Sequence, residues 1–137
     1  MYRALVDTGA IYAFVTRTDR HHNEARRFMR ELLTKRRDLI LLDLVFAETM
    51  TLLKARVGSA IALRVGAELR QNPLYRWTPL GVEGERDTWA LFQQYDDKEW
   101  SYTDCALLAL GRRMRIREVF SFDKHFEQMP AIARVPR

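Results

Sequence analysis

Apolar positions along the chain fall into two alternating rhythms, short unbroken runs and longer stretches spaced three or four residues apart. Ala4-Leu5-Val6 is a short run that ends at Asp7, and from Thr8 to Thr16 the residues Ile11, Phe14 and Val15 recur at helical spacing. A strand followed by a helix is expected. A second helix is expected from about Asn23 to Lys35, with Ala25, Phe28, Met29, Leu32 and Leu33 on one face and arginines on the other. Leu39-Ile40-Leu41-Leu42 lacks polar alternation, the pattern of a parallel strand covered on both faces. Asp43 then caps a helix that runs to about Val57, Gly58 stops it, and Ser59 opens another that ends near Asn72-Pro73. Tyr75 to Thr78 and Val119 to Phe122 read as strands, Val82 to Tyr95 and Ser101 to Met114 as helices, and Ile132 to Val135 as a last edge strand.

Strands and helices that alternate in this way predict an α/β domain with a mainly parallel central sheet and right-handed crossovers. No internal repeat is present, and Asp96-Asp97-Lys98-Glu99, the most loop-like segment, is too short to divide domains. Residues 1–137 are therefore expected to form one domain. With 47% hydrophobic and 30% charged residues, six Gly and four Pro, the composition is that of a globular chain. The longest apolar stretches are interrupted by Asp43 and Glu48, well short of the roughly 20 residues of a spanning helix, so no membrane association is expected. Asp7 interrupts the first apolar run too early for a signal peptide, and the single Cys105 cannot form an intramolecular disulfide. A cytoplasmic setting is expected.

The net charge of +5 is unevenly distributed: residues 1–37 carry nine Lys/Arg against four Asp/Glu, whereas the rest of the chain is balanced. Arg17, Arg26 and Arg30 are the candidate contacts for a nucleic acid. A charge run on a helix is also compatible with a solvated face.

In open α/β sheets, ligands bind beyond the carboxyl ends of the strands. Asp7 and Asp123 each follow a predicted strand, while Glu48 and Asp104 lie near the starts of helices that can begin at the same rim. Each acid has a structural alternative. Asp7 and Asp123 could cap the turns after them, Ser101-Tyr102-Thr103-Asp104 has capping-box spacing, and Glu48 could be an exposed helix position. Those alternatives leave unexplained why all four acids fall at one rim. Clustered carboxylates repel unless a proton or a cation neutralises them, and hard oxygen donors favour Mg²⁺ or Mn²⁺. Such a site suits hydrolysis of a phosphodiester.

Leu5-Val6-Asp7-Thr8, Phe46-Ala47-Glu48, Ser101-Tyr102-Thr103-Asp104 and Phe120-Ser121-Phe122-Asp123-Lys124-His125-Phe126 occur in that order along essentially the whole chain. In this respect the sequence resembles the PIN-domain nucleases, and within them the VapC toxins of toxin-antitoxin pairs. The resemblance implies a three-layer α/β/α PIN-like fold and a metal-dependent endoribonuclease in which Asp7, Glu48, Asp104 and Asp123 hold Mg²⁺ or Mn²⁺. It further implies that Thr8 and Thr103 are polar neighbours of the site, that water is the nucleophile, and that the partners are structured RNA, a cognate antitoxin and a second copy of the chain. Two departures stand out: Gly9, where many relatives have a small hydroxyl residue, and Leu41-Leu42-Asp43, where many have Thr or Ser.

A catalytically silent nucleic-acid-binding domain of the same fold is the alternative function. A phosphoryl-accepting receiver domain fits less well, because it calls for an acidic pair after the first strand and Asp7 is followed by Thr8-Gly9. His21 and His22 lack the spacing of a zinc helix and are expected at the surface, as is His125, which two positions after Asp123 could also touch substrate. Cys105 is expected in the core, and Trp77, Trp89 and Trp100 as packing residues.

Overall fold

A computed structural model describes residues 2–137. Five strands, β1 (Tyr2–Val6), β2 (Arg37–Leu42), β3 (Tyr75–Thr78), β4 (Glu118–Phe120) and β5 (Ala133–Val135), form one sheet in the order β3-β2-β1-β4-β5. Every pairing is parallel, so the sheet is wholly rather than mainly parallel. The helices are α1 (Thr8–Val15), α2 (His22–Leu33), α3 (Asp43–Val57), α4 (Ser59–Gln71), α5 (Gly81–Gln94) and α6 (Tyr102–Met114), with a 3₁₀ turn at Lys124–Gln128. None of these helices is long and apolar enough to cross a membrane.

The topology decides the layers. From β1 to β2 to β3 the chain steps in one direction, and from β3 it returns across the sheet to β4 and on to β5. Right-handed crossovers put the helices of the two directions on opposite faces. In agreement, α1 packs on α2 and α3, and α3 on α4, while α5 packs on α6. This is the expected three-layer α/β/α arrangement. Where the direction reverses, between β1 and β4, the sheet leaves a crevice at its carboxyl edge.

The unbroken apolar runs have the burial they predicted. Ala4, Leu5 and Val6 of the central strand and Leu39, Leu41 and Leu42 of its neighbour are completely buried, because both faces of the sheet are covered. Helix α6 is buried at every position from Thr103 to Gly111, with α5 packed on it. At its C-terminal end Gly111 is tightly enclosed, and an added Cβ would come within 3.1 Å of the Ile116 carbonyl oxygen and 3.3 Å of Leu5. One hydrophobic cluster extends from Ala4 to Val135, which is how distant segments are held in register.

Strand β4 differs from its sequence expectation. It ends at Phe120, so Asp123 lies three residues beyond the strand instead of directly after it. Ser121 still bonds to the sheet through its N–H to the Val135 carbonyl, at 3.0 Å. Phe122 then turns away and stacks on His21, with ring centroids 4.4 Å apart. Of the tryptophans, Trp100 is core and donates to Gln128 Oε1, whereas Trp77 and Trp89 are about half exposed.

Leu5 sits on the central strand with no exposure, and Leu5→Ala would leave a cavity that its neighbours cannot fill. We expect a loss of about 2–5 kcal/mol in stability, read from the denaturant midpoint of the purified variant.

Candidate active site

Asp7 follows the last residue of β1, and its backbone N–H continues the sheet by donating to the Phe120 carbonyl at 3.0 Å. Its side chain caps α1, Oδ1 accepting from the Thr8 N–H at 2.8 Å, while Oδ2 accepts from Ser121 Oγ at 2.8 Å. The hydroxyl of Ser121 also accepts from the Asp123 N–H at 3.0 Å. Ser121 therefore links the two acids that follow β1 and β4. Nothing in its type or spacing marks it in the sequence beyond its position before Asp123.

Asp104 forms the expected capping box with Ser101. Its Oδ2 accepts from the Ser101 N–H at 2.9 Å, and its own N–H donates to Ser101 Oγ at 3.0 Å. Asp123 caps the 3₁₀ turn through the His125 N–H at 2.9 Å. From α3, Glu48 accepts a hydrogen bond at each oxygen, from Thr8 Oγ1 at 3.2 Å and from Thr103 Oγ1 at 2.7 Å. The two threonines named from the sequence thus hold the one acid that caps nothing. Capping and site formation coincide at Asp7, Asp104 and Asp123: the cap fixes each carboxylate's orientation toward a common space.

That space is a cleft of about 600 Å³ lined by Asp7, Thr8, Glu48, Asp104 and Asp123, with Ser101 and His125 beside them. All four predicted acids are brought together. Within it, ligand atoms of Asp104, Asp123 and His125 lie within 4.8 Å of one another, close enough to share one cation. His125 is partly exposed and stands in the cleft rather than on open surface. Its Nδ1 lies 3.0 Å from Asp104 Oδ2 and 3.5 Å from Asp123 Oδ1. The contact to Asp104 bridges 21 residues, which no local spacing could reveal.

The electrostatics follow from the geometry. Burial raises the Asp7 carboxyl, the hydrogen bonds from Ser121 and Thr8 pull it down, and the charges of Asp104 and Asp123 raise it again, leaving it at about 7. His125 is raised chiefly by its hydrogen bond to Asp104, against an opposing effect of burial. Burial, with the neighbouring acids adding to it, thus favours the protonated form of Asp7, a cost that a bound cation would offset. The donor set, carboxylate oxygens with one imidazole, fits a divalent metal ion.

Among the cations, Arg26 and Arg30 do not line the acid cleft. They lie one turn apart on α2 and face a separate pocket with Phe14, Glu68 and Tyr75. Arg17 is exposed in the turn after α1. The arginines of the cleft are Arg20, which belongs to the basic N-terminal segment, and Arg56, which lies outside it. His21 also belongs to the cleft rather than to open surface, and His22 bonds to the Ala13 carbonyl through Nδ1 at 2.8 Å. Cys105 is buried, and burial followed by the Asp104 charge raises its thiol pKa, so it is a core residue as expected. Gly9 lines the cleft with open space above it, while Asp43 is structural, its Oδ1 accepting from the Leu44 and Leu80 N–H groups.

Known proteins share this fold. The PIN domain family profile matches residues 4–132. The chain is 27% identical over 121 residues to the 23S rRNA-specific endonuclease VapC20 of Mycobacterium tuberculosis, covering 88% of this chain and 89% of that protein. The crystal structure of M. tuberculosis VapC20, described as a Sarcin-Ricin loop cleaving toxin, superposes with a TM-score of 0.83 at 26% identity, covering 91% and 93% of the two chains. A toxin-antitoxin complex from Klebsiella pneumoniae gives a TM-score of 0.65 at 17% identity, covering 95% of each chain. FitAcB from Neisseria gonorrhoeae gives 0.63 at 16%, covering 88% of each, and these last two share the fold. The chain belongs to the PIN-domain family and is VapC-like within it.

Proposed function

We propose that this protein is a divalent-metal-dependent endoribonuclease, the toxin of a toxin-antitoxin pair. The observation that carries the reading is the convergence of Asp7, Glu48, Asp104 and Asp123, from four separate elements, on one cleft at the point where the sheet reverses direction. Asp104, Asp123 and His125 would hold Mg²⁺ or Mn²⁺, with Asp7 and Glu48 completing the acidic ring. A bound ion of this kind makes water nucleophilic at neutral pH and offsets charge on the phosphate.

The protein's own part is positional. Thr8 and Thr103 hold both oxygens of Glu48, and Ser121 holds Asp7 against the β4 loop, so the acids stay in place as the substrate enters. Hydrolysis by water gives one product with a phosphate end and one with a hydroxyl end. Arg17, Arg26 and Arg30, outside the cleft, would steer a long RNA by charge. An antitoxin and a second copy of the chain complete the proposal. Leu63 and Ile61 on α4 leave apolar surface for a protein partner.

The test is cleavage of a labelled pool of structured RNAs that includes ribosomal stem-loops of the kind VapC20 cuts. We expect cutting with Mg²⁺ or Mn²⁺, none with EDTA, and none by the Asp7→Asn or Asp104→Asn proteins. Binding without cutting under every condition would make the silent binding domain the better reading.

Thr103→Val and Ser121→Ala remove hydrogen bonds to the acids without removing an acid. We expect each to weaken metal affinity or activity by about 10–100-fold, measured by titrating Mn²⁺ against cleavage rate and against thermal stabilisation.

Asp7 also makes stability depend on pH. Its folded pKa of about 7 lies above the ordinary aspartate value of 3.8, so between these values the folded protein keeps a proton that the unfolded chain has lost. Stability from this group is therefore full below about pH 4 and falls as pH rises through about 7, by on the order of a few kcal/mol. In EDTA, Asp7→Asn should flatten that fall in the melting temperature. In the wild type, Mn²⁺ should stabilise more at alkaline than at acidic pH, because binding displaces the proton. Equal pH profiles for wild type and Asp7→Asn would show that Asp7 is already ionised in the metal-free protein.

A further inference from the structure

The acid cleft contains two arginines, Arg20 and Arg56, and neither pairs with an acid among the described residues. This is unusual for cations beside so many carboxylates, which would ordinarily draw them into ion pairs. Each guanidinium is held by a ring instead. Arg20 Nε donates to His21 Nε2 at 3.1 Å, and the Arg56 guanidinium lies over the Tyr12 ring, 5.2 Å from its centroid.

The segment that presents Arg20 is built. Asp19 Oδ1 accepts from the His21 N–H at 2.8 Å, the His22 N–H donates to the Asp19 carbonyl at 3.0 Å, and the His21 ring stacks on Phe122 within 2° of coplanarity. Phe122 immediately precedes Asp123, so Arg20 is tied to the loop that carries a site acid. On the other wall, Glu48, Leu52 and Arg56 all line the cleft at successive turns of α3. Eight residues of helix place Arg56 about 12 Å along the axis from Glu48.

We propose that Arg20 and Arg56 bind the RNA phosphates that flank the scissile one, Arg20 on the β4 side of the acids and Arg56 on the α3 side. The inference rests on the nuclease reading above and names how that site grips its substrate. A polyanion is repelled by an acid-lined cleft unless fixed positive charge offsets the acids that the metal does not neutralise. Guanidinium groups left without carboxylate partners supply that charge and can take a phosphate through two parallel hydrogen bonds. Both side chains are exposed, so both can reach a ligand and both can be substituted without disturbing the core.

The test uses a short labelled single-stranded oligoribonucleotide, too short to reach α2, bound in Mg²⁺ to the cleavage-inactive Asp104→Asn protein over a KCl series. We expect Arg20→Gln and Arg56→Gln each to weaken binding several-fold and to flatten the slope of log affinity against log salt by about 0.7 per lost contact. Arg56→Lys should restore the slope but not the full affinity, because lysine returns the charge without the fork. In otherwise wild-type protein, the glutamine variants should raise KM several-fold and change kcat little. Slopes and KM values equal to those of the parent, in a protein that binds and cuts RNA, would overturn the assignment of these arginines alone. A wild-type protein that neither binds nor cuts RNA would overturn the nuclease reading with it.

Discussion

The parallel pairing of β1 with β4 is the contact on which the site depends. It joins residues more than a hundred positions apart, Leu5 beside Val119 and Val6 beside Phe120, and the Asp7 N–H extends it by one bond to the Phe120 carbonyl. Without it, Asp7 and the loop that carries Ser121 and Asp123 would have no common position. The pairing sits where the chain reverses direction across the sheet, so the helices diverge there and leave a crevice. Helices α3 and α6 then bring Glu48 and Asp104 to the same edge.

Capping and chemistry are not competing explanations of these acids. A carboxylate that caps a helix gives one oxygen to a backbone N–H and keeps capacity on the other, as Asp7 does with Ser121. The cap also removes rotamer freedom that a metal ligand would otherwise lose on binding. The helix starts place backbone N–H groups at this edge, which favours negative charge there. The fold thus lowers the cost of gathering acids, and the raised Asp7 carboxyl shows that it does not remove that cost.

Much of this was legible in the chain. Unbroken apolar runs at Ala4 to Val6 and Leu39 to Leu42 marked two buried parallel strands, and an acid after a strand or at a helix start marked the rim. The end of β4 was not legible, because the apolar run continues through Phe122 while the strand stops at Phe120. Phe122 is apolar because it stacks on His21, a tertiary contact between segments a hundred residues apart. For the same reason His21 and His125 looked like surface residues. The basic N-terminal segment was visible as composition, but composition does not tell which arginine faces the cleft. Arg26 and Arg30 follow the period of α2 toward another pocket, whereas Arg20 lies in a turn whose direction is set by Asp19 and by the His21 stack.

The same residues that place the acids also limit how the protein can change. Ser121 serves the sheet through its N–H, Asp7 through its hydroxyl proton, and Asp123 as an acceptor. Losing that hydroxyl would free one oxygen of Asp7 and the backbone N–H of Asp123 at once while leaving the strand paired. Thr103 is similarly placed between the buried face of α6 and the cleft, with its hydroxyl on Glu48. Neutral hydroxyls suit this task because they hold a carboxylate without adding a charge that would compete with a metal ion. Arginines cannot serve there for the opposite reason, since a guanidinium beside the acids would neutralise them and occupy the place of the ion. Their position on the cleft walls, held by a ring or an imidazole, keeps positive charge near the acids without pairing with them.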